Sequence, residues 1–328
     1  MDMIMQMIYG RHLDMMGSRR HRWLAQALLD GNHYMYLCLA SPTIFRSQVA
    51  HWLGFRDRFF PGMAHESQWF DAIAAELFDS RDTNHPASGG IVAAMRQAVD
   101  EKTGLSFEGE VVRKEAVMLA RAGGDTTAVA LAACFFYLST DAVVYKRVTG
   151  EIRSTFDSMD DIFQTDNLSR CEYLIASIDE AMRLTPPVPG CLWRKVERDV
   201  MVDGRLVPRG TEVGVCQYAL HRCHNLFPNP DHFEPQRFLK TTDHDVPPGA
   251  YTPFQHGPRA CPARLLALRE LRFALAQVLW QMDVRVFPLH AVNAVTGDSG
   301  VELKIEDIFS SKAKAQFLQF RPRSGLAV

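Results

Sequence analysis

No CxxC pair, no internal repeat, no long low-complexity linker and no marked excess of either charge appears in the 328 residues of this chain. Each absence excludes a class. Seven scattered cysteines give neither a disulfide framework nor a zinc pattern, and they suit a reducing compartment. With 36 Lys and Arg against 38 Asp and Glu, the net charge of −2 gives no electrostatic reason to expect nucleic acid or an anionic membrane surface as the main partner. The longest apolar run, Ala128 to Leu138, is far too short to span a bilayer and reads as buried helix. MDMIMQMIYGRH at the N-terminus has no basic leader and no small-residue cleavage site, so neither a signal peptide nor a membrane anchor is expected in this chain. His221, Cys223 and His224 form the one dense cluster of ligand-type residues, but their spacing suits a polar loop better than a zinc site.

What is present is a globular composition, 47% hydrophobic and 23% charged, with enough chain to bury a large core and a length that by itself allows two domains. Residues 1–53 read as interrupted helices. Ile4, Met5 and Ile8 share one face and Trp23, Leu24, Ala27 and Leu28 another, with GRHLDMMGSRRHRW as a polar turn and Gly31 and Pro42 as punctuation. Residues 54–106 are less regular, and Pro61-Gly62 and Ser80 to Gly90 read as surface loop. Glu108 to Val148 is one long helical pattern. A second helix ends in the stretch Cys171 to Pro189, stopped by Thr185-Pro186-Pro187. Alternation around Asp203-Gly204 and Arg209-Gly210 signals short strands and turns, as does Val284 to Arg323.

Two stretches depart from ordinary helix chemistry. Gly123 and Gly124 sit inside the long helix at a cost of about 1 kcal/mol each relative to alanine, followed by the indifferent helix formers Asp125, Thr126 and Thr127. Paired glycines either bare the backbone to a flat ligand or let a neighbouring helix pack closely, and a threonine hydroxyl that takes over a helix acceptor opens a groove in the ladder. The other stretch is FQHGPRACPARLLALRE, Phe254 to Glu270. Cys261 lies between a Gly/Pro-punctuated turn and a helix start, a position where free backbone N–H groups and the helix dipole favour anionic sulfur. Gly257 permits a backbone conformation closed to other residues, Pro258 stiffens the turn, and Pro262 suits a first helical position. Arg259 carries a fork that fits a carboxylate, and Phe254 is a flat apolar group on the same loop. Cation, ring and thiolate together fit a flat, iron-bearing, carboxylate-bearing ligand; the alternative is an inert buried cysteine. Downstream, Leu265, Leu266, Leu268, Leu271 and Leu275 are expected on the buried side of the helix, with Arg264, Arg269 and Arg272 facing outward or toward the ligand. Glu180 and Arg183 are three apart on one helical face, a spacing that taken alone means a solvated surface pair.

Phe254, Gly257, Arg259, Cys261 and Ala263 stand in register with the pattern Phe-x-x-Gly-x-Arg-x-Cys-x-Gly/Ala. The loop thereby resembles the haem-binding loop of the cytochrome P-450 family, the haem-thiolate monooxygenases, of fungal type. AGGDTT, Ala122 to Thr127, resembles the family's oxygen-activation motif. Glu180 and Arg183 resemble its Glu-x-x-Arg pair, and FEPQRF, Phe233 to Phe238, the segment whose arginine completes a triad.

The resemblance implies a mainly α fold with a small β portion, the C-terminal part of the family's fold only. It implies one haem-thiolate domain over residues 1–328, with substrate-roof helices and loops in 1–106 and the haem-binding core in 107–328. Heme b is the implied cofactor, with Cys261 as the thiolate ligand whose electron donation favours O–O cleavage. Phe254, Gly257, Arg259 and Ala263 would surround it. Arg194 would meet a propionate, a surface arginine being the alternative. Ala122 and Gly123 would line the oxygen pocket, and Asp125 and Thr126 would deliver protons. Glu180, Arg183 and Arg237 would form a structural network behind the loop, fixing its geometry more than adding net stability. The implied reaction places one atom of O2 in a small hydrophobic substrate of secondary metabolism, with electrons from NADPH through a flavoprotein reductase. An acidic electron donor would meet the arginines after Cys261, although a solvated helix face explains the same residues. The C-terminal hairpin, with its turn at Gly297 to Gly300, would dip toward the substrate. Full-length eukaryotic members carry an N-terminal anchor that holds them on the cytoplasmic side of the endoplasmic reticulum. That preceding region has no counterpart here, so a non-catalytic or degenerate haem-binding fragment is the alternative reading.

Overall fold

Ile4, Met5 and Ile8 line one side of helix α1 (Asp2–Tyr9) and are buried, as their spacing requires. The computed structural model describes residues 1–40, 72, 90–107, 109–163, 167–239, 246–286, 294–297, 300–314 and 317–323. It falls into two units, Met1–Thr126 and Thr127–Val328. In the first, α1 ends at Gly10, which turns left-handed at φ 70° and returns its N–H to the Gln6 carbonyl. Helices α2 (Trp23–Ala40) and α3 (Gly90–Gln97) add Leu24 and Val92 to a core completed by Val112, Ala116 and Ala120 of α4 (Gly109–Thr140). Gly31 does not punctuate: α2 runs through it and buries it, and burial of this kind offsets the roughly 1 kcal/mol helix penalty of a glycine. Pro42, Pro61-Gly62 and residues 80–89 lie outside the described residues, and Gly90 opens α3.

The second unit packs the end of α4 with α5 (Ala142–Thr155), the short α6 (Met159–Phe163), α7 (Glu172–Leu184) and α9 (Arg264–Gln281). Phe136, Tyr137, Val148, Ile152, Leu174, Ile178, Leu271, Leu275 and Leu279 form its centre. The single helical pattern expected over 108–148 is two helices meeting at 112°. Asp141 explains the break, because its carboxylate accepts from the N–H groups of Val143 and Val144 and starts α5 afresh. Among the described residues no single helix is long and apolar enough to cross a membrane. Trp280 closes the far end of α9 by donating its ring N–H to the Phe156 carbonyl at 2.9 Å.

The strands are short and antiparallel. β1 (Arg194–Lys195) pairs with β4 (Glu212–Val213), and β2 (Val200–Val202) with β3 (Arg205–Val207). Asp203 and Gly204, both at positive φ, make the tight β2–β3 turn. α8 (Gln217–Leu220) follows β4. β5 (Met282–Val286) pairs with β10 (Leu318–Pro322), β6 (Ala294–Gly297) with β7 (Gly300–Leu303), and β8 (Ile305–Ile308) with β9 (Ser310–Ala313). The architecture is therefore mainly α with a small β portion.

Two helix-level expectations for α9 are corrected. Pro262 is not its first residue: Ala263 caps the helix and Arg264 begins it, after a turn in which the Arg264 N–H reaches the Cys261 carbonyl. Leu265 is 82% exposed and Leu266 and Leu268 are half-buried, whereas Leu271 and Leu275 are buried. The first turn of α9 thus projects beyond the core, and only its later turns lie on α5 and α7.

Burial separates two substitutions in the second unit. Arg183→Ala is expected to lower stability by about 3–5 kcal/mol, because it strands a buried carboxylate. Leu265→Ala should shift it by no more than about 0.5 kcal/mol. Urea midpoints at constant slope measure both, and equal costs would contradict the burial assignment.

Candidate functional site

α7 is strongly amphipathic and buries nearly its whole inner face, including two charges that sequence spacing alone would leave in water. Glu180 and Arg183 are both fully buried and joined by two parallel bonds, Nε to Oε2 at 2.7 Å and Nη2 to Oε1 at 2.8 Å. Arg183 also donates to the carbonyls of His221 at 2.7 Å, Pro230 at 2.6 Å and His232 at 3.1 Å, which uses all five of its N–H groups. Arg237, on a 3-10 turn (Pro235–Phe238), reaches Glu180 at 3.3 Å and Glu234 at 2.8 Å. The Glu234 N–H adds a bond to Glu180 at 2.9 Å. Glu180, Arg183 and Arg237 are brought together as one network, and the solvated-pair reading is set aside.

The cysteine loop hangs from this network. His221 was expected in a polar loop with Cys223 and His224; instead it is fully buried, and no group of three metal-ligating side chains occurs among the described residues. Its carbonyl takes the Arg183 bond while its ring Nε2 accepts the Thr252 N–H at 3.1 Å. Gln217 donates to the Thr252 carbonyl at 2.8 Å, and the Tyr251 hydroxyl donates to Asp179, the neighbour of Glu180, at 3.0 Å. Beyond this anchor Gln255 and Gly257 take positive φ of 60° and 74°, Gly257-Pro258-Arg259 forms one 3-10 turn, and the Cys261 N–H closes back on the Phe254 carbonyl at 2.8 Å. A Cβ at Gly257 would meet nothing within 4 Å, so glycine is needed there for its dihedral angle and not for space. Cys261 and Arg259 are exposed, Phe254 and Ala263 half-buried, and the Arg264 guanidinium lies 6.0 Å from the centre of the Phe254 ring. The inert buried cysteine is thereby excluded. A loop fixed at its start, carrying an outward thiol, a cation and a ring, fits a planar iron-bearing group with acidic substituents.

The motif on α4 lies at the end of the first unit. Thr126 donates its hydroxyl to the Ala122 carbonyl at 2.8 Å, and Ala122 is exposed one turn away, so this face of the helix is open. Asp125 is buried and accepts from Asn32 of α2 at 2.9 Å. The glycines face elsewhere. A Cβ on Gly123 would lie 3.0 Å from Ile4 Cδ1, and one on Gly124 2.9 Å from Met1 Cε. On that side the pair admits the side chains of α1, which is the close-packing reading of paired glycines. Arg194 is exposed on β1 and donates to the carbonyls of Leu192 and Trp193.

Several residues here had no sequence signal. Asp179, Gln217, Tyr251 and Thr252 are positioning residues that no motif marked. Another is Phe309, at φ 82° in the β8–β9 turn, a strained angle for a bulky side chain. Ser311 beside it donates its N–H to the Pro187 carbonyl at 2.8 Å and its hydroxyl to that of Pro186 at 2.7 Å. Gly297 and Gly300 do close a separate hairpin, β6–β7.

Two buried groups set opposed pH windows. Burial, reinforced by the charge of Arg183, pushes His221 down to about 4 from 6.5. Its contribution to stability is whole above 6.5 and is lost as pH falls toward 4. Burial pushes Asp179 up to about 6 from 3.8, so its contribution is whole below 3.8 and is lost as pH rises through 6. Asp179→Asn is therefore expected to gain roughly 3 kcal/mol on the parent between pH 4 and pH 8. His221→Gln should cost less at pH 4.5 than at pH 8. Urea midpoints across pH give both, and a pH-independent difference for Asp179→Asn would refute the raised value.

Residues 1–308 match the family model described as cytochrome P-450. The chain is 32% identical over 323 residues to cytochrome P-450 monooxygenase poxM of Penicillium oxalicum, covering 98% of this chain and 60% of that protein. It is 29% identical to a cytochrome P-450 monooxygenase of Gibberella zeae, covering 98% of this chain and 75% of that one. The chain thus spans about 60% of the length of poxM. In three dimensions it is similar to a crystal structure of a cytochrome P-450 with a TM-score of 0.74 and 23% identity, over 98% of this chain and 66% of that one, a likeness of fold. With the family model covering most of its length, this chain belongs to the cytochrome P-450 family.

Proposed function

We propose that this chain binds heme b through Cys261 and serves a monooxygenase that places one atom of O2 in a small hydrophobic substrate, the other atom leaving as water. The observation that carries the reading is the outward thiol of Cys261 on a loop anchored by Tyr251, Thr252 and the buried Arg183–Glu180 pair. When bound, the haem supplies the oxygen chemistry, and a thiolate on its iron favours O–O cleavage.

The chain's own residues bind, orient and move protons. Cys261 is the metal ligand, Phe254, Gly257 and Ala263 shape the loop around the cofactor, and Arg259 and Arg194 are exposed cations suited to propionates. Thr126 commits its proton to the Ala122 carbonyl, so its lone pairs are left to accept a hydrogen bond. Asp125, buried against Asn32, is the acid that replenishes protons, and Ala122, on the open face beside Thr126, belongs to the same oxygen-handling stretch, whereas Gly123 packs against Ile4. The β8–β9 turn at Phe309, tied to Pro186 and Pro187, is a better candidate for contact with substrate than Gly297 to Gly300. Electrons come from NADPH through a flavoprotein reductase, for which the exposed Arg264 and Arg269 provide positive charge.

The reduced protein with carbon monoxide is expected to show the red-shifted absorption of thiolate-ligated haem, and Cys261→Ala should abolish it. An unchanged spectrum in that variant would overturn the ligand assignment. Asp125→Asn should keep the spectrum and lower turnover roughly 100-fold, the scale of a lost proton-transfer group.

A further inference from the structure

Cys191 and Cys216 face each other across two antiparallel segments, in the register that β1 and β4 establish with Arg194 opposite Val213. We propose that these two cysteines form a reversible disulfide, a redox-sensitive modification site outside the cysteine loop. Residues directly opposed in antiparallel pairs have Cα atoms about 4.5–5.5 Å apart, inside the range of about 4.4–6.8 Å that a disulfide spans. The side chains share one face. A Cβ built on Gly214 would lie 3.1 Å from Cys191 Cβ and 3.1 Å from the Trp193 ring, so the glycine leaves the room into which Cys191 leans. The Cys216 thiol donates to the Pro189 carbonyl at 3.4 Å, and burial, reinforced by the neighbouring Cys216 side chain, pushes the Cys191 thiol up from its ordinary value.

Access distinguishes this pair from the two buried thiols, Cys134 and Cys171. Cys134 is sealed in the core, where burial drives it far above the ordinary thiol range, and burial pushes Cys171 up to about 11. Cys191 and Cys216 are only half-buried. Cys216 also lines an open cleft of about 440 Å³ with Pro189, Tyr218, Glu302, Asp307 and Lys314, through which a small oxidant reaches its sulfur.

A hydroperoxide is the oxidant this geometry suits. The Cys216 sulfur attacks one peroxide oxygen, the O–O bond breaks, and one water leaves with a sulfenic acid on Cys216. The Cys191 sulfur then attacks that sulfur, the S–S bond forms, and the sulfenic hydroxyl leaves with the Cys191 proton as a second water. Two thiols and one hydrogen peroxide give one disulfide and two waters, the sulfurs losing the two electrons that the peroxide gains. The bond fixes Gly190 to Arg194 against the residue that caps α8, and a dithiol reductant reverses it.

The test treats the haem-loaded chain with hydrogen peroxide, blocks remaining thiols with iodoacetamide, and maps peptides by mass spectrometry. The expected result is loss of two of the seven thiols together, a cross-linked peptide joining Cys191 to Cys216, and recovery of both with dithiothreitol. Cys191→Ser should stop the reaction at a sulfenic acid on Cys216 that dimedone traps, and Cys216→Ser should leave Cys191 alkylated at the same peroxide dose. Either cysteine joined to a different partner, independent over-oxidation of both, or both still alkylated after Cys38 and Cys223 have reacted would overturn the assignment.

Discussion

A guanidinium with no water around it governs the second unit. Arg183 is fully buried, and each of its five N–H groups finds an acceptor: both oxygens of Glu180 and the carbonyls of His221, Pro230 and His232. Taking two ions out of water costs several kcal/mol per ion, and their attraction compensates only when remaining donors and acceptors are also satisfied. The geometry is consequently demanding. Three chain segments must converge on one fork, so the pair specifies a backbone arrangement more than it adds net stability.

That arrangement is transmitted to the cysteine loop through short polar contacts. His221 presents its carbonyl to Arg183 and its ring nitrogen to the Thr252 N–H, so one buried residue joins network and loop. Asp179, next to Glu180 on α7, holds Tyr251 in the same way. With its start anchored, the loop can adopt the positive dihedral angles of Gln255 and Gly257 and present an exposed Cys261. Preorganisation of a ligating thiol depends on such support, because a loop held only by its own turn would not keep the sulfur in place.

Legibility in the sequence followed the range of the interaction. Helices with strong periodicity, such as α1 and α7, were readable because burial of one face acts on residues three and four apart. The Asp203-Gly204 turn and the proline stop after Leu184 were readable because backbone sterics act on adjacent residues. The break at Asp141 was missed because a continuous apolar pattern outweighed one capping carboxylate. The exposure of Leu265 was missed because periodicity marks a face without saying where the neighbouring helices end. Paired glycines carry no label for what fills the space they leave, and beside Gly123 it is a side chain from residues far upstream.

By itself the sequence determined the chemistry available: one cysteine in a Gly/Pro turn before a helix, a Gly-Gly-Asp-Thr interruption inside another, and an acid and base three residues apart, all set by short-range stereochemistry and by residue type. Only the tertiary structure decided that Glu180 and Arg183 are buried, that His221 is a core link and not part of a polar loop, and that Cys191 faces Cys216. Those facts depend on desolvation and on contacts between residues 25 or more positions apart, which no local pattern encodes.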